Sequence, residues 1–291
     1  MPVADPIVVA VQGELGSYSE LAAYEFFSPD PQIKPCETFG DLFVAVRDGR
    51  ADHGMAPVDN SLGGSVHAVW DLLVEHSLPI AGEILLRVEH CLIAHPGTAV
   101  GDLKRVYSHP QALAQCQGYL SDLPGVAQKE VYDTAGAVKM IRESDDRESA
   151  AIASAQAAVD YGMAVLVEKI QTNRDNFTRF LVLGTAPCHR GEELLKTTVV
   201  LELPDSARGL PAVLSSLAAR SVEVLKVESR AHLGHPWEYL VYLEFAGGPQ
   251  DPAVAEALGE IRATAATVHA VGTYPSGHLS EARLHRRPVI T

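Results

Sequence analysis

Five small hydroxyl residues, Ser17, Ser61, Ser65, Ser108 and Thr134, stand where an apolar run gives way to a helical pattern. The first backbone N–H groups of a helix point outward at the positive end of its dipole, so together these positions offer to receive an anion. Any one of them reads first as a helix cap. Five at equivalent junctions point instead to a cleft for a small anionic ligand. No GxGxxG, Walker loop, HExxH or GxSxG occurs, so neither a dinucleotide nor a familiar hydrolase is indicated. His232 and His235, on a short loop without an evident carboxylate partner, read as surface residues, and no metal is expected.

Alternating strands and helices must position these groups. Residues 7–11 form an apolar strand before Gly13-Glu14-Leu15-Gly16 and a helix from Ser17, with Ser17 and Glu20 at capping-box spacing. A strand near 55–59 leads through Asn60–Gly64 to a helix whose Val66, Val69, Trp70, Leu73 and Val74 share one face. Strands at 105–108, 129–133, 150–154, 164–170 and 179–184 continue the alternation, which predicts a mostly parallel sheet covered by helices. Ligands in such folds sit beyond the carboxyl ends of the strands. Between 187 and 193 the composition turns polar. From Lys196 onward the order is βαββαβ, a ferredoxin-like arrangement.

Composition narrows the function. The 291 residues suffice for two domains, and a net charge of −14 argues against nucleic acid as a partner. Four scattered cysteines, without a CxxC pair, predict neither disulfides nor a cysteine-rich zinc site and suit a reducing cytoplasm. No signal peptide or membrane span is expected.

Four segments then resemble signatures of the prephenate dehydratase family: Gly13–Glu20, Pro57–Gly64, Ser108–Cys116 and, most specific, Asn176-Phe177-Thr178-Arg179-Phe180. The C-terminal part resembles an ACT domain, with Gly209–Leu214 and Glu228-Ser229-Arg230 at effector-binding positions. The resemblance implies an α/β fold in which a periplasmic-binding-protein-like catalytic region of two subdomains precedes the ferredoxin-like ACT domain. The implied boundaries are 1–188 for the catalytic domain, divided into 1–77 with 176–188 and 78–175, then 195–275 for the ACT domain and a tail at 276–291.

The implied reaction is the decarboxylating dehydration of prephenate to phenylpyruvate in phenylalanine biosynthesis, without a cofactor. Thr178 would donate to the leaving hydroxyl, with a polarising neighbour to help so weak an acid. Arg179 would supply charge nearby, clamp a carboxylate or serve as a structural ion pair. Asn60, Ser61, Ser108 and Gln115 would orient the substrate, with His109 a possible acid and Phe180 a packing residue. Asp59 stands where the family usually has Glu, and Ala231 where the ACT motif usually has Pro. L-phenylalanine would bind a homodimer or homotetramer through Gly209, Leu210, Ala212, Val213, Leu214, Glu228, Ser229 and Arg230. The first strand begins so near the N-terminus that no fused chorismate mutase is expected. The alternatives are arogenate dehydratase, whose substrate carries an amino group in place of the side-chain keto group, and a non-catalytic amino-acid sensor.

Overall fold

The computed structural model describes residues 6–27, 30–184, 194–203, 206–232, 235–281 and 284. Cys188, the polar stretch 185–193 and Arg283, Arg286 and Arg287 lie outside the described residues. The described residues form three sheets, of seven, five and four strands. Among the described residues no helix is long and apolar enough to cross a membrane.

The first sheet runs in the order Leu279–Glu281, Ile80–Arg87, Phe177–Gly184, His53–Asn60, Val8–Gln12 and Gln32–Cys36, with the two-residue Gly64–Ser65 paired to His53–Asn60. Val8–Gln12 is parallel to both its neighbours, and its Val9, Ala10 and Val11 are fully buried. A continuous apolar run of this kind is the mark of a strand covered on both faces. Gln32–Cys36 escapes sequence reading because it is a polar edge strand that contains a proline, Pro35. The helical face read at Val66–Val74 becomes the helix His67–His76, with Val69, Trp70 and Leu73 buried.

The second sheet has the order Ala164–Val167, Cys91–Ala94, Ser149–Ala153, Arg105–Ser108 and Ala127–Glu130. Here the expectation of a mostly parallel sheet is corrected. Cys91–Ala94 runs antiparallel to both neighbours, and only the Arg105–Ser108 pairings are parallel. The chain enters this sheet along Cys91–Ala94 and leaves along Ala164–Val167, so its entry and exit strands run in opposite directions.

The chain divides into two compact units, one drawn from Met1–Val69, Ile84–Leu181 and His278–Thr291, the other from Trp70–Glu83 and Val182–Gly277. The second unit holds the four-stranded antiparallel sheet, ordered Val224–Ala231, Tyr239–Ala246, Leu195–Glu202, Thr267–Pro275, with helices Ser206–Ala219 and Pro252–Thr264. This is the expected βαββαβ order. Val199, Leu201, Val213, Leu217, Leu243, Phe245 and Leu258 form its core. Within the same unit the Trp70 ring lies 5.4 Å from that of Tyr242, Asp71 pairs with Arg230 at 2.5 Å, and the Glu83 carboxylate meets buried Lys196. The segment expected as a tail from 276 contributes the strand Leu279–Glu281, parallel to Leu85–Arg87.

Candidate active site

A cavity of about 330 Å³ opens in the first unit where the carboxyl ends of strands from both its sheets meet helix starts. The loop Gly13–Ser17 forms one wall. Gly13 and Gly16 adopt φ of +100° and +85°, which a side chain would resist. Ser17 caps the helix Tyr18–Phe26 by accepting from the Glu20 N–H. The Glu20 carboxylate reaches back to the Gly16 N–H at 2.6 Å, one residue beyond a standard capping box. The helix Thr134–Ser144 faces this loop, and its cap is Asp133 rather than Thr134. Asp133 accepts from the N–H groups of Glu14, Ala135 and Gly136 at 2.9, 3.2 and 3.3 Å.

Asn60 is the hub of the opposite wall. Its amide NH₂ donates to Asn176 Oδ1 at 2.8 Å, the Phe177 carbonyl at 3.1 Å and Thr178 Oγ1 at 3.0 Å. Its Oδ1 accepts from the backbone of Leu62 and Gly63 and from the side chains of Gln111 and Gln115. Because Thr178 Oγ1 is an acceptor from Asn60, its own proton can point into the cavity that it lines. Asn60 and Thr178, 118 positions apart in sequence, are brought into contact.

Beneath them Gln115 joins a chain whose further members, His90 and Tyr18, sequence reasoning missed. Gln115 Oε1 accepts from Asn176 Nδ2 at 3.0 Å and lies 2.8 Å from His90 Nε2, while its NH₂ donates to Asn60. The Gln115 oxygen therefore requires the Nε2–H tautomer of His90. Nδ1 is then an acceptor for the Tyr18 hydroxyl at 2.9 Å, whose proton also faces the Glu89 carbonyl at 2.8 Å. Burial lowers the His90 pKa from its ordinary 6.5, holding the ring neutral, with the Gln115 contact opposing. Burial likewise raises the Tyr18 pKa. No motif spacing links His90 to Gln115; the only sequence signal is a histidine opening the apolar run Cys91–Ala94.

The His90 shift predicts a pH effect on stability. A histidine with a depressed folded pKa binds protons more readily when unfolded, so its contribution is present above about 6.5 and is lost as pH falls below that value. His90→Asn is expected to flatten this acid limb relative to the wild type. Urea midpoints at pH 5 and 7.5 check it, and an unchanged difference between the two proteins would contradict it.

Asp59, Ser61, Ser108 and Arg179 stand off the cavity. Ser108 is fully buried and donates to the Ile152 carbonyl at 2.6 Å; His109, not Ser108, caps the helix Pro110–Gln115 and lines the cavity. Ser61 ties the Asn60 loop to the strand Phe177–Gly184, donating to the Asp175 carbonyl and accepting from the Phe177 N–H, both at 2.9 Å. Arg179 Nε and Nη2 both reach Asp59 Oδ2, at 2.9 and 2.6 Å, while Ser65 donates to Asp59 Oδ1 at 2.7 Å. Arg179 thus takes the structural ion pair among its expected roles, and the shorter Asp59 reaches it without difficulty. Phe180 is buried yet lines the cavity with Phe39, Pro57, Val66 and Val88, an apolar floor for a ring. Cys91 and Cys116 have thiols raised to about 11 and about 12 by burial, so neither is a nucleophile near neutral pH.

In the second unit Gly209 is buried beside Leu203, Leu210 and Leu214 pack on the core that holds Val213, and Ala212 is exposed. Glu228 pairs with Lys226 at 3.0 Å, Arg230 with Asp71, and Ser229 is exposed. The expectation that His232 and His235 lack a carboxylate partner is corrected by Glu238; the three set ligand atoms within 4.8 Å of one another on a largely exposed turn.

Residues 9–188 match the family model described as prephenate dehydratase. Over 277 residues the chain is 40% identical to arogenate dehydratase/prephenate dehydratase 2, chloroplastic, of Arabidopsis thaliana, covering 92% of this chain and 72% of that protein. A solved prephenate dehydratase from Arthrobacter aurescens, in complex with L-Phe, gives a TM-score of 0.83 at 31% identity over 92% of this chain and 90% of that one. A structure described as GqqA, a novel type of quorum quenching acylase, gives 0.82 at 34% identity over 92% and 98%.

Proposed function

Because this chain belongs to the prephenate dehydratase family, we propose that its cavity aromatises prephenate, or arogenate, its side-chain amine, by decarboxylating dehydration. The bond from ring to carboxylate breaks, and its electron pair enters the ring. The ring C–O bond breaks at the far side, and the hydroxyl leaves with one proton as water. Prephenate yields phenylpyruvate and CO₂. Aromatisation supplies the driving force, so the protein must orient the ring, exclude water and assist the leaving oxygen.

The observation that carries this reading is the Asn60–Thr178 hydrogen bond, which leaves the Thr178 proton available at a cavity with an apolar floor. Thr178 donates to the departing hydroxyl. Asn60, Gln115 and His90 hold it in place, with Tyr18 and Asn176 fixing their tautomer and amide orientations. The first N–H groups of the helix Tyr18–Phe26 receive a substrate carboxylate. Asp59, Ser61, Ser108 and Arg179 support this site from behind.

The domain boundaries proposed are those of the sequence reading, 1–188 and 195–275. Phenylalanine, the end product, regulates through Gly209–Leu214 and Glu228–Arg230, a reading supported by the L-Phe complex of the Arthrobacter protein. Exposed Val224, Leu225 and Val227 on an edge strand support pairing of two copies. The free thiols of Cys36, Cys91 and Cys116 suit a reducing compartment such as the cytoplasm. The expected result is formation of an aromatic product and CO₂ from prephenate or arogenate, followed by ultraviolet absorbance and slowed by added phenylalanine. Turnover of neither would overturn the assignment and favour an amino-acid sensor.

A further inference from the structure

We infer that Asp133 reads the side-chain amino group of the substrate and gives the site a preference for arogenate over prephenate, an inference that rests on the dehydratase reading above. The two substrates share ring, ring carboxylate and hydroxyl. They differ at one position of the side chain, where a keto oxygen needs a donor and an ammonium needs an acceptor.

The cavity supplies the acceptor. Among the described residues lining it there is neither lysine nor arginine, and Asp133 is its single carboxylate. The nearby cations are engaged elsewhere, Lys139 with Glu14 at 2.9 Å and Arg179 with Asp59 at 2.6 Å. Asp133 is 9% exposed, and its partners are backbone N–H groups without a full positive charge. Oδ2 accepts from Glu14 and Gly136 but Oδ1 only from Ala135, so Oδ1 keeps a lone pair for a ligand. Burial raises the Asp133 pKa despite those three donors, the mark of a charge lacking a counter-ion. An ammonium supplies that counter-ion. A keto oxygen in the same place sets two acceptors against each other, which polar sites reject strongly.

The amino group takes no part in bond making: arogenate takes up one proton and yields phenylalanine, CO₂ and water. A charge-assisted hydrogen bond of this kind sets a discrimination of about 10- to 100-fold. The test compares kcat/KM for arogenate and prephenate in the wild type, Asp133→Asn and Asp133→Ser, both replacements retaining a helix-capping oxygen, with circular dichroism to confirm folding. The expected result is a wild-type preference for arogenate of about tenfold or more. In either variant the preference falls at least tenfold, through a raised KM for arogenate, while prephenate turnover holds or rises as the opposing acceptor is removed. A role confined to capping would lower both substrates together, and that outcome overturns the inference. A wild-type preference for prephenate overturns it as well. Turnover of neither substrate by the wild type would remove the dehydratase reading itself, whereas turnover of both at a ratio the substitutions leave unchanged removes this inference alone.

Discussion

Thr178→Val is expected to lower kcat by about 10²- to 10⁴-fold, the range that a positioned proton donor commands. Valine keeps the branched shape, so what is lost is the hydroxyl. The Asn60 amide still has Asn176 Oδ1 and the Phe177 carbonyl as acceptors, so the substitution leaves no orphaned donor in the wall. Stability should therefore change by less than about 1.5 kcal/mol. Thr178→Ser, which restores the hydroxyl, should recover most of the rate. Initial rates of aromatic product with thermal melts on the same samples decide the matter. A kcat for the valine variant within threefold of the wild type would show that the leaving oxygen gets its proton elsewhere.

The largest loss of stability is expected from Gly16→Ala. A Cβ at this position would stand 2.6 Å from Ala157 Cα and 2.9 Å from its backbone nitrogen, and the φ of +85° adds its own strain. The Gly16 carbonyl is also pinned by Ser154 Oγ at 2.6 Å, so the loop cannot retreat without breaking a buried hydrogen bond. Left-handed backbone costs a side chain about 1–2 kcal/mol and overpacking about 1–3 kcal/mol, together some 2–5 kcal/mol. Gly64→Ala is the control, since its φ is +76° but nothing lies within 4 Å of its Cβ. It should show the conformational cost alone. Urea midpoints for both variants separate the two contributions, and equal losses would mean that the Ala157 contact gives way freely.

Much of this architecture is legible from the sequence because local rules act within single elements. The buried run Val9–Val11, the face of Val69, Trp70 and Leu73, and the βαββαβ order after Lys196 each follow from periodicity or punctuation. Where two residues compete for one role, reading fails by a single position. Thr134 and Ser108 read as caps, but Asp133 and His109 beside them do the capping. The direction of Cys91–Ala94 is set by how the chain crosses between sheets, which no short window of residues encodes.

The site divides in the same way. Asn60, Gln115 and Thr178 were found because they sit in motifs that resemble a family. His90 and Asp133 belong to the cavity through tertiary geometry alone, one behind Gln115 and the other beside Glu14. Arg179 shows the converse case. Its place in a motif left a substrate clamp and a structural ion pair both open, and its position on the strand turns it to Asp59.

The short strand Leu279–Glu281 has a consequence for how copies of the chain behave toward one another. It occupies the outer edge of the first sheet, where it covers the Leu85–Arg87 end of its neighbour. Three residues add little folding energy, but an uncovered edge is a row of unpaired N–H and C=O groups ready to template strand addition. A chain cut after Gly277 would expose that row. Pairing of Leu279–Glu281 with Leu85–Arg87 withholds that row from a second copy of the chain.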